Sequence, residues 1–306
     1  MSKKLAEHNP GRKIFSSKIA TTIVWVITII WTVPTLGLLI TSFKTDEKIL
    51  NEAWWTTLLN PSFTLENYRG VLFGDGTQSL STGFLPYFIN SIVITLPATI
   101  FPIVIATMAA YALAWIKFRG SDFLFFSIFA LQIVPLQMSL VPLLLLFTGG
   151  AHIGSVQIFP ALGIAGEFAG IWLPHTMFAL PLAIYLLHNF ISGLPRDLME
   201  AAYVDGANHF TIFRRIILPL SIPGIASIAI FQFLWVWNDL LVALTFASGT
   251  EEVAPLNNKL ASLVGQYGSG YTQLSAGAFI TIAVPLIVFF SLQRYFVRGL
   301  LAGSVK

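Results

Sequence analysis

Residues 192–219 read SGLPRDLMEAAYVDGANHFTIFRRIILP, the one long stretch that interrupts the apolar monotony of the chain's second half. Pro195 suits the first turn of a helix, where a missing N–H costs nothing. Leu198, Met199, Ala201, Ala202 and Val204 continue that helix, and Asp205-Gly206 is its stop signal. Asn208 is placed to cap a second short helix whose cationic end is Arg214-Arg215. The spacing predicts a compact helix–turn–helix carrying one acid, Glu200, two adjacent alanines and an obligatory bend. A surface of that shape is suited to being gripped by another protein.

The rest of the chain explains where such a turn would sit. Of 306 residues, 56% are hydrophobic and 10% charged, where a soluble domain carries roughly 25% charged residues. Most of the chain must therefore lie in lipid or against other apolar helices. There is no cysteine, which removes disulfide frameworks and cysteine-ligated metal sites from consideration. The formal charge of +3 comes from scattered basic residues, and no basic tract suggests nucleic acid.

Six apolar runs follow one another. The first, about 19–43, spans a hydrocarbon core of ~30 Å at ~1.5 Å per residue. It exceeds a signal-peptide core of roughly 7–15 residues and lacks an A-x-A end, so it reads as an anchored span. A polar segment, 44–84, with Trp54-Trp55 at the membrane interface, separates it from the second run, about 85–116, where Pro97 and Pro102 offer kinks. The third, about 123–147, contains Pro135 and Pro142. A stretch that is loop-like at its start, 149–163, leads to the fourth, about 165–190, and Gly166 and Gly170 are spaced for close helix approach. The fifth covers about 220–246 and the sixth about 274–295, with a loop at 249–271 between them.

Orientation follows from the basic residues. With both termini on one side, that side holds thirteen Lys and Arg (positions 3, 4, 12, 13, 18, 117, 119, 196, 214, 215, 294, 298 and 306), against four (44, 48, 69 and 259) on the other. The expectation is an all-α membrane protein of six transmembrane helices with cytoplasmic N and C termini. Residues 1–18 form a cytoplasmic segment, 19–297 the six-span domain with an external loop at 44–84 and a cytoplasmic loop at 192–216, and 298–306 a cytoplasmic tail.

Glu200-Ala201-Ala202, Gly206 after three more residues, then Ile216, Leu218 and Pro219, fit the pattern E-A-A-x3-G-x9-I-x-L-P without an insertion. In this the chain resembles the permeases of ABC importers and their EAA loop. The resemblance implies that Glu200, Ala201, Ala202, Gly206, Ile216, Leu218 and Pro219 couple the membrane helices to an ATPase. Glu200 would pair with an arginine on that partner, although an acid there can also simply cap or solubilise its own helix. The end of the chain is similar to the short glycine-containing tail of the second permease of maltose-type importers. Gly299, Ala302, Gly303 and Lys306 would then touch the ATPase, the alternative being a frayed terminus.

Trp237-Asn238-Asp239 is similar to the W-N-[D/E] signature of carbohydrate-uptake permeases. Sugars present hydroxyls and weakly apolar faces, which aromatic rings with nearby amides and carboxylates match. Asn238 and Asp239 equally suit hydrogen bonding between helices. Asn90, Gln132, Gln137 and Gln232 complete the candidate translocation path, because polar groups within apolar spans need partners or water. His175 is a poor metal ligand, lacking a second histidine or an acidic cluster at ligand spacing, and neither a catalytic constellation nor a metal site is expected.

The resemblance implies a sugar-uptake ABC importer in a bacterial or archaeal inner or plasma membrane. Its partners would be a second homologous permease, a homodimeric ATP-binding subunit that carries ATP and Mg, an extracytoplasmic sugar-binding protein and membrane lipid. This chain itself would bind no cofactor. An ABC importer for a non-sugar solute shares the EAA loop, and a secondary transporter or channel would work with no ATPase at all.

Overall fold

The computed structural model describes residues 18–59, 61, 63–74, 76, 82–116, 118–247, 251–264 and 271–302. In chain order the helices are α1 (Lys18–Ser42), α2 (Asp46–Asn51), α3 (Glu66–Phe73), α4 (Leu85–Trp115), α5 (Ser121–Ala130) and α6 (Leu136–Gly149). A hairpin of β1 (Ala151–Ile153) and β2 (Val156–Phe159) follows, with Ile153 opposite Val156 and His152 opposite Gln157. Then come α7 (Phe168–Ser192), α8 (Arg196–Val204), α9 (His209–Ile212), α10 (Leu218–Trp237), α11 (Leu241–Phe246), α12 (Leu256–Val264) and α13 (Tyr271–Ala302).

Among the described residues, five helices are long and apolar enough to cross a membrane: α1, α4, α7, the continuous helix His209–Trp237 and Tyr271–Gln293 within α13. The third expected span, about 123–147, is not straight. Ser121–Ile133 and Leu136–Gly149 meet at 100°, because Pro135 takes an extended ψ of 128° and caps α6 instead of continuing α5. Pro97, Pro102, Pro174 and Pro181 stay inside their helices.

Three further expectations change. The cationic helix end at Arg214-Arg215 does not exist, since a π-turn, Phe213–Ile217, joins α9 directly to α10. The fifth span stops at Trp237 rather than Phe246, and a short break separates it from α11. The stretch 149–163 contains the hairpin.

The chain divides into two compact units. In the first, residues 1–83 and 263–279, α1 exposes almost its whole apolar surface, with only Gly37 and Ser42 buried. At its end the buried Lys44 donates Nζ to Glu52 O and Ala53 O, each at 3.2 Å. Asn67 Nδ2 donates to Ser42 O at 2.9 Å and Lys44 O at 2.7 Å. Trp54 packs on Gly37, leaving a Cβ there only 3.3 Å from the indole.

In the second unit, residues 84–262 and 280–306, α4 packs along α7 and α10. Ala98, Ala106 and Ala110 of α4 are fully buried, small side chains that let helices approach closely where lipid supplies no hydrophobic drive. The glycine pair does a different job. Gly166 precedes α7 and donates to Phe246 O at 2.8 Å, while a Cβ on Gly170 would collide with Ile164 O. Gly170 admits the chain leading into α7, not a neighbouring helix.

Three of the helix prolines mark contacts between helices. A proline leaves the carbonyl four residues earlier without its helical N–H, and in lipid that acceptor needs another donor. Pro97 frees Val93 O, which takes Trp172 Nε1 at 3.0 Å. Pro102 frees Ala98 O, which takes Gln232 Nε2 at 3.0 Å. Pro285 frees Thr281 O, which takes Trp237 Nε1 at 3.0 Å.

Candidate functional site

The turn after α7 is seated by one cluster of buried residues. Met199 and Ala202, three residues apart on one face of α8, are buried with Tyr111, Ile184, Leu187, Ile191, Ile212 and Ile217. Glu200 and Ala201 lie on the exposed side, as do Leu198, Tyr203, Val204 and Phe210. The two alanines therefore serve different ends: Ala202 seats the helix and Ala201 leaves its outer face low. Pro195 stands just before α8 with an extended ψ of 128° and is its N-cap residue, not its first turn.

Gly206, at φ +75°, closes α8. Its N–H donates to Tyr203 O and that of Ala207 to Ala202 O, both at 3.0 Å, the paired bonds of a Schellman cap. Asn208 Oδ1 then accepts the Thr211 N–H at 2.9 Å and starts α9. His209 ties the turn to α4: its Nδ1 lies 3.0 Å from the Tyr111 hydroxyl and 3.3 Å from that of Tyr203. Ile216 is half-buried, and Leu218 and Pro219 are exposed at the start of α10. Among the described residues, no basic side chain lies within 4.0 Å of Glu200.

A second feature is a cleft of about 1360 Å³ between the bent α5–α6 pair, α7 and α10. Gln132 and Gln137 reach it from either side of the Pro135 bend, Gln232 and Trp235 from α10, and Asp239 from the break before α11. Non-helical backbone at membrane depth survives where it borders a cavity, and both breaks border this one. Asp239 Oδ2 accepts the Ala243 N–H at 3.2 Å and lies 3.7 Å from Nε2 of the buried His175. Asn257 Nδ2 holds the same break by donating to Trp237 O at 2.8 Å and Asp239 O at 3.3 Å.

Residues 102–301 match the family model described as the binding-protein-dependent transport system inner membrane component. The chain belongs to this family. The permease is 51% identical, over 92% of its length and 89% of the other chain, to the osmoprotective compounds uptake permease protein GgtD of Synechocystis sp.. It is 52% identical, over 83% of its length and 63% of the other, to the alpha-glucoside transport system permease protein AglG of Rhizobium meliloti. In fold it is similar, with a TM-score of 0.66, to a chain of a bacterial ABC transporter involved in the import of the acidic polysaccharide alginate, at 18% identity over 94% and 99% of the two chains. The chain is thus an ABC importer permease, a multi-pass protein of the inner membrane.

The permease sorts the expected path residues into two groups. Gln132, Gln137, Gln232 and Asp239 line the cleft together, whereas Asn90, Trp237 and Asn238 do not. Asn90 donates to Glu252 O at 2.9 Å and Ala254 O at 3.0 Å. Trp237 spends its N–H on Thr281 O, and Asn238 Nδ2 turns back to Leu234 O at 2.7 Å. Of the tail residues, Gly299 and Ala302 fall within α13, while Gly303 and Lys306 lie outside the described residues. Sequence reasoning missed His209, Asn257 and Trp172. The signal for Trp172 was Pro97, whose freed carbonyl asks for a donor; His209 and Asn257 carried none.

Proposed function

We propose that the chain is one of two homologous permease subunits of an ATP-driven sugar importer. It forms half of the translocation path for a di- or oligosaccharide and takes its drive through the Glu200 turn. The observation that carries this reading is the division of α8: one face is locked into the core, while Glu200 and Ala201 stand outward with no ion pair among the described residues. A rigid elbow with an unspent acid suits docking to an arginine-bearing cleft. The thirteen-to-four distribution of basic residues supports a cytoplasmic position for the turn and both termini.

ATP and Mg belong on a separate homodimeric ATPase, and an extracytoplasmic binding protein delivers the sugar. The relative named for alpha-glucosides supports the sugar class, as does a cleft in which Trp235 and Phe231 stand beside Gln132, Gln137 and Asp239. Aromatic faces with a few convergent polar groups are what a saccharide needs. In this reading Gly299, Ala302, Gly303 and Lys306 belong to the surface that the same ATPase contacts.

The test is co-purification of the tagged chain in mild detergent, with subunits read by mass spectrometry and uptake measured in vesicles. Glu200→Ala and Gly206→Pro should leave the protein inserted yet lose the ATPase or its drive. Truncating one partner of an interfacial charge pair costs about 2–5 kcal/mol, or roughly thirtyfold and more in affinity. Wild-type uptake in both variants, or uptake by an assembly free of ATPase, refutes the proposal.

A further inference from the structure

The cleft has an uneven charge inventory. Among the described residues, Asp239, whose side chain is 10% exposed, is the only ionisable group in the lining, and the other polar members, Gln132, Gln137, Ser139, Gln232 and the Trp235 indole N–H, are neutral. The basic group that faces Asp239 is His175, 3.7 Å away, but it is 1% exposed and absent from the lining. Among the described residues, no lysine or arginine lines the cavity. The remaining walls are aliphatic, aromatic and thioether groups, including Leu143, Met177, Phe231 and Trp235.

A carboxylate accepts hydrogen bonds and donates none. Sugar hydroxyls, which donate, suit it; a solute carboxylate does not. Apolar walls concentrate the field of a single charge that bulk water would screen. From this we infer that Asp239 is a charge filter: the cleft accepts uncharged polyhydroxylated solutes and turns away those bearing a carboxylate. The selection of polyols rests on the sugar reading above, while the electrostatic part stands apart from it.

The chain has no cysteine, so Ser139→Cys places a single thiol in the cleft. The intact importer assembly in nanodiscs is treated with a cationic trimethylammonioethyl and an anionic sulfonatoethyl methanethiosulfonate, and modification of this chain is followed by mass. Asp239→Asn should lower the cationic-to-anionic rate ratio roughly tenfold, and Asp239→Glu should keep it. Asp239→Ser, a smaller neutral replacement, should lower it likewise, which keeps the test decisive if the asparagine variant misfolds.

Protection of the same thiol from an uncharged methanethiosulfonate is then compared for methyl α-glucoside and methyl α-glucuronide. The glucoside should protect at a roughly tenfold lower concentration, with the gap closing in Asp239→Asn. A rate ratio indifferent to both Asp239→Asn and Asp239→Ser overturns the filter and leaves the sugar reading intact. Equal protection by the two glycosides also overturns it. A charge-sensitive ratio with protection by neither glycoside supports the filter and removes the sugar.

Discussion

The turn at Glu200–Gly206 and the break at Asn238–Leu240 both interrupt helical chain, and they differ in what is left unpaired. The turn is seated by apolar packing, with Met199, Ala202, Ile212 and Ile217 buried, and cornered by the bonds of Gly206, Ala207, Asn208 and His209, while the motif's acid is left over. The break contains neither glycine nor proline and is held by hydrogen bonds, from Asn257 to Trp237 O and Asp239 O and from Ala243 N to Asp239 Oδ2. A surface meant for another protein must be stiff while keeping its polar groups free. Backbone broken at membrane depth must have each polar group answered, because lipid answers none.

The comparison breaks most visibly at Met199. It is 1% exposed, and truncating a buried methionine to alanine costs about 2–5 kcal/mol. Met199→Ala should therefore lower thermal stability in detergent and loosen ATPase docking together. Glu200→Ala should loosen docking alone. If Met199→Ala leaves the melting temperature unchanged, packing is not what seats the turn.

At the break the expected effect is smaller and depends on a distant proline. Trp237→Phe keeps ring contacts with Phe88 and Phe233 but removes the N–H that serves Thr281 O. An unanswered buried carbonyl costs about 1–2 kcal/mol. Pro285→Ala supplies that carbonyl with a helical N–H, so the cost of Trp237→Phe should largely vanish in the double variant. Additive losses across the four proteins of this mutant cycle, measured by denaturation in nanodiscs, would show that the indole and the proline are uncoupled.

What could be read in the sequence follows the same division. Apolar runs revealed the spans because lipid demands length and hydropathy of each one separately. The motif marked Ala201 and Ala202 alike, and only the structure separates them, burying Ala202 with Met199 and leaving Ala201 outside with Glu200. The 100° bend at Pro135 was not legible, because Pro97, Pro102, Pro174 and Pro181 have the same chemistry and leave their helices unbroken. At Pro97 and Pro102 the freed carbonyl is answered from far along the chain, by a donor 79 residues away for Val93 and 134 for Ala98, so local sequence does not distinguish them from Pro135. For the same reason Gln232 and Trp237, chosen as path residues, turn out to donate to proline-freed carbonyls, although Gln232 also borders the cleft. The break at Asn238–Leu240 had no local signal, its partner Asn257 being 20 residues on from Trp237.

The smallest effect separates backbone conformation from packing within the turn itself. A Cβ on Gly206 would meet nothing within 4 Å, so the glycine is required by its φ of +75° alone. Forcing an ordinary L-residue into that region costs about 1–2 kcal/mol, whereas asparagine visits it readily. Gly206→Ala should thus weaken ATP-driven uptake several-fold, and Gly206→Asn, although bulkier, should restore most of it. Equal losses for alanine and asparagine would mean that bulk at this corner matters. The corner would then touch the ATPase directly, and the turn would be an interface residue by residue rather than a scaffold that aims Glu200.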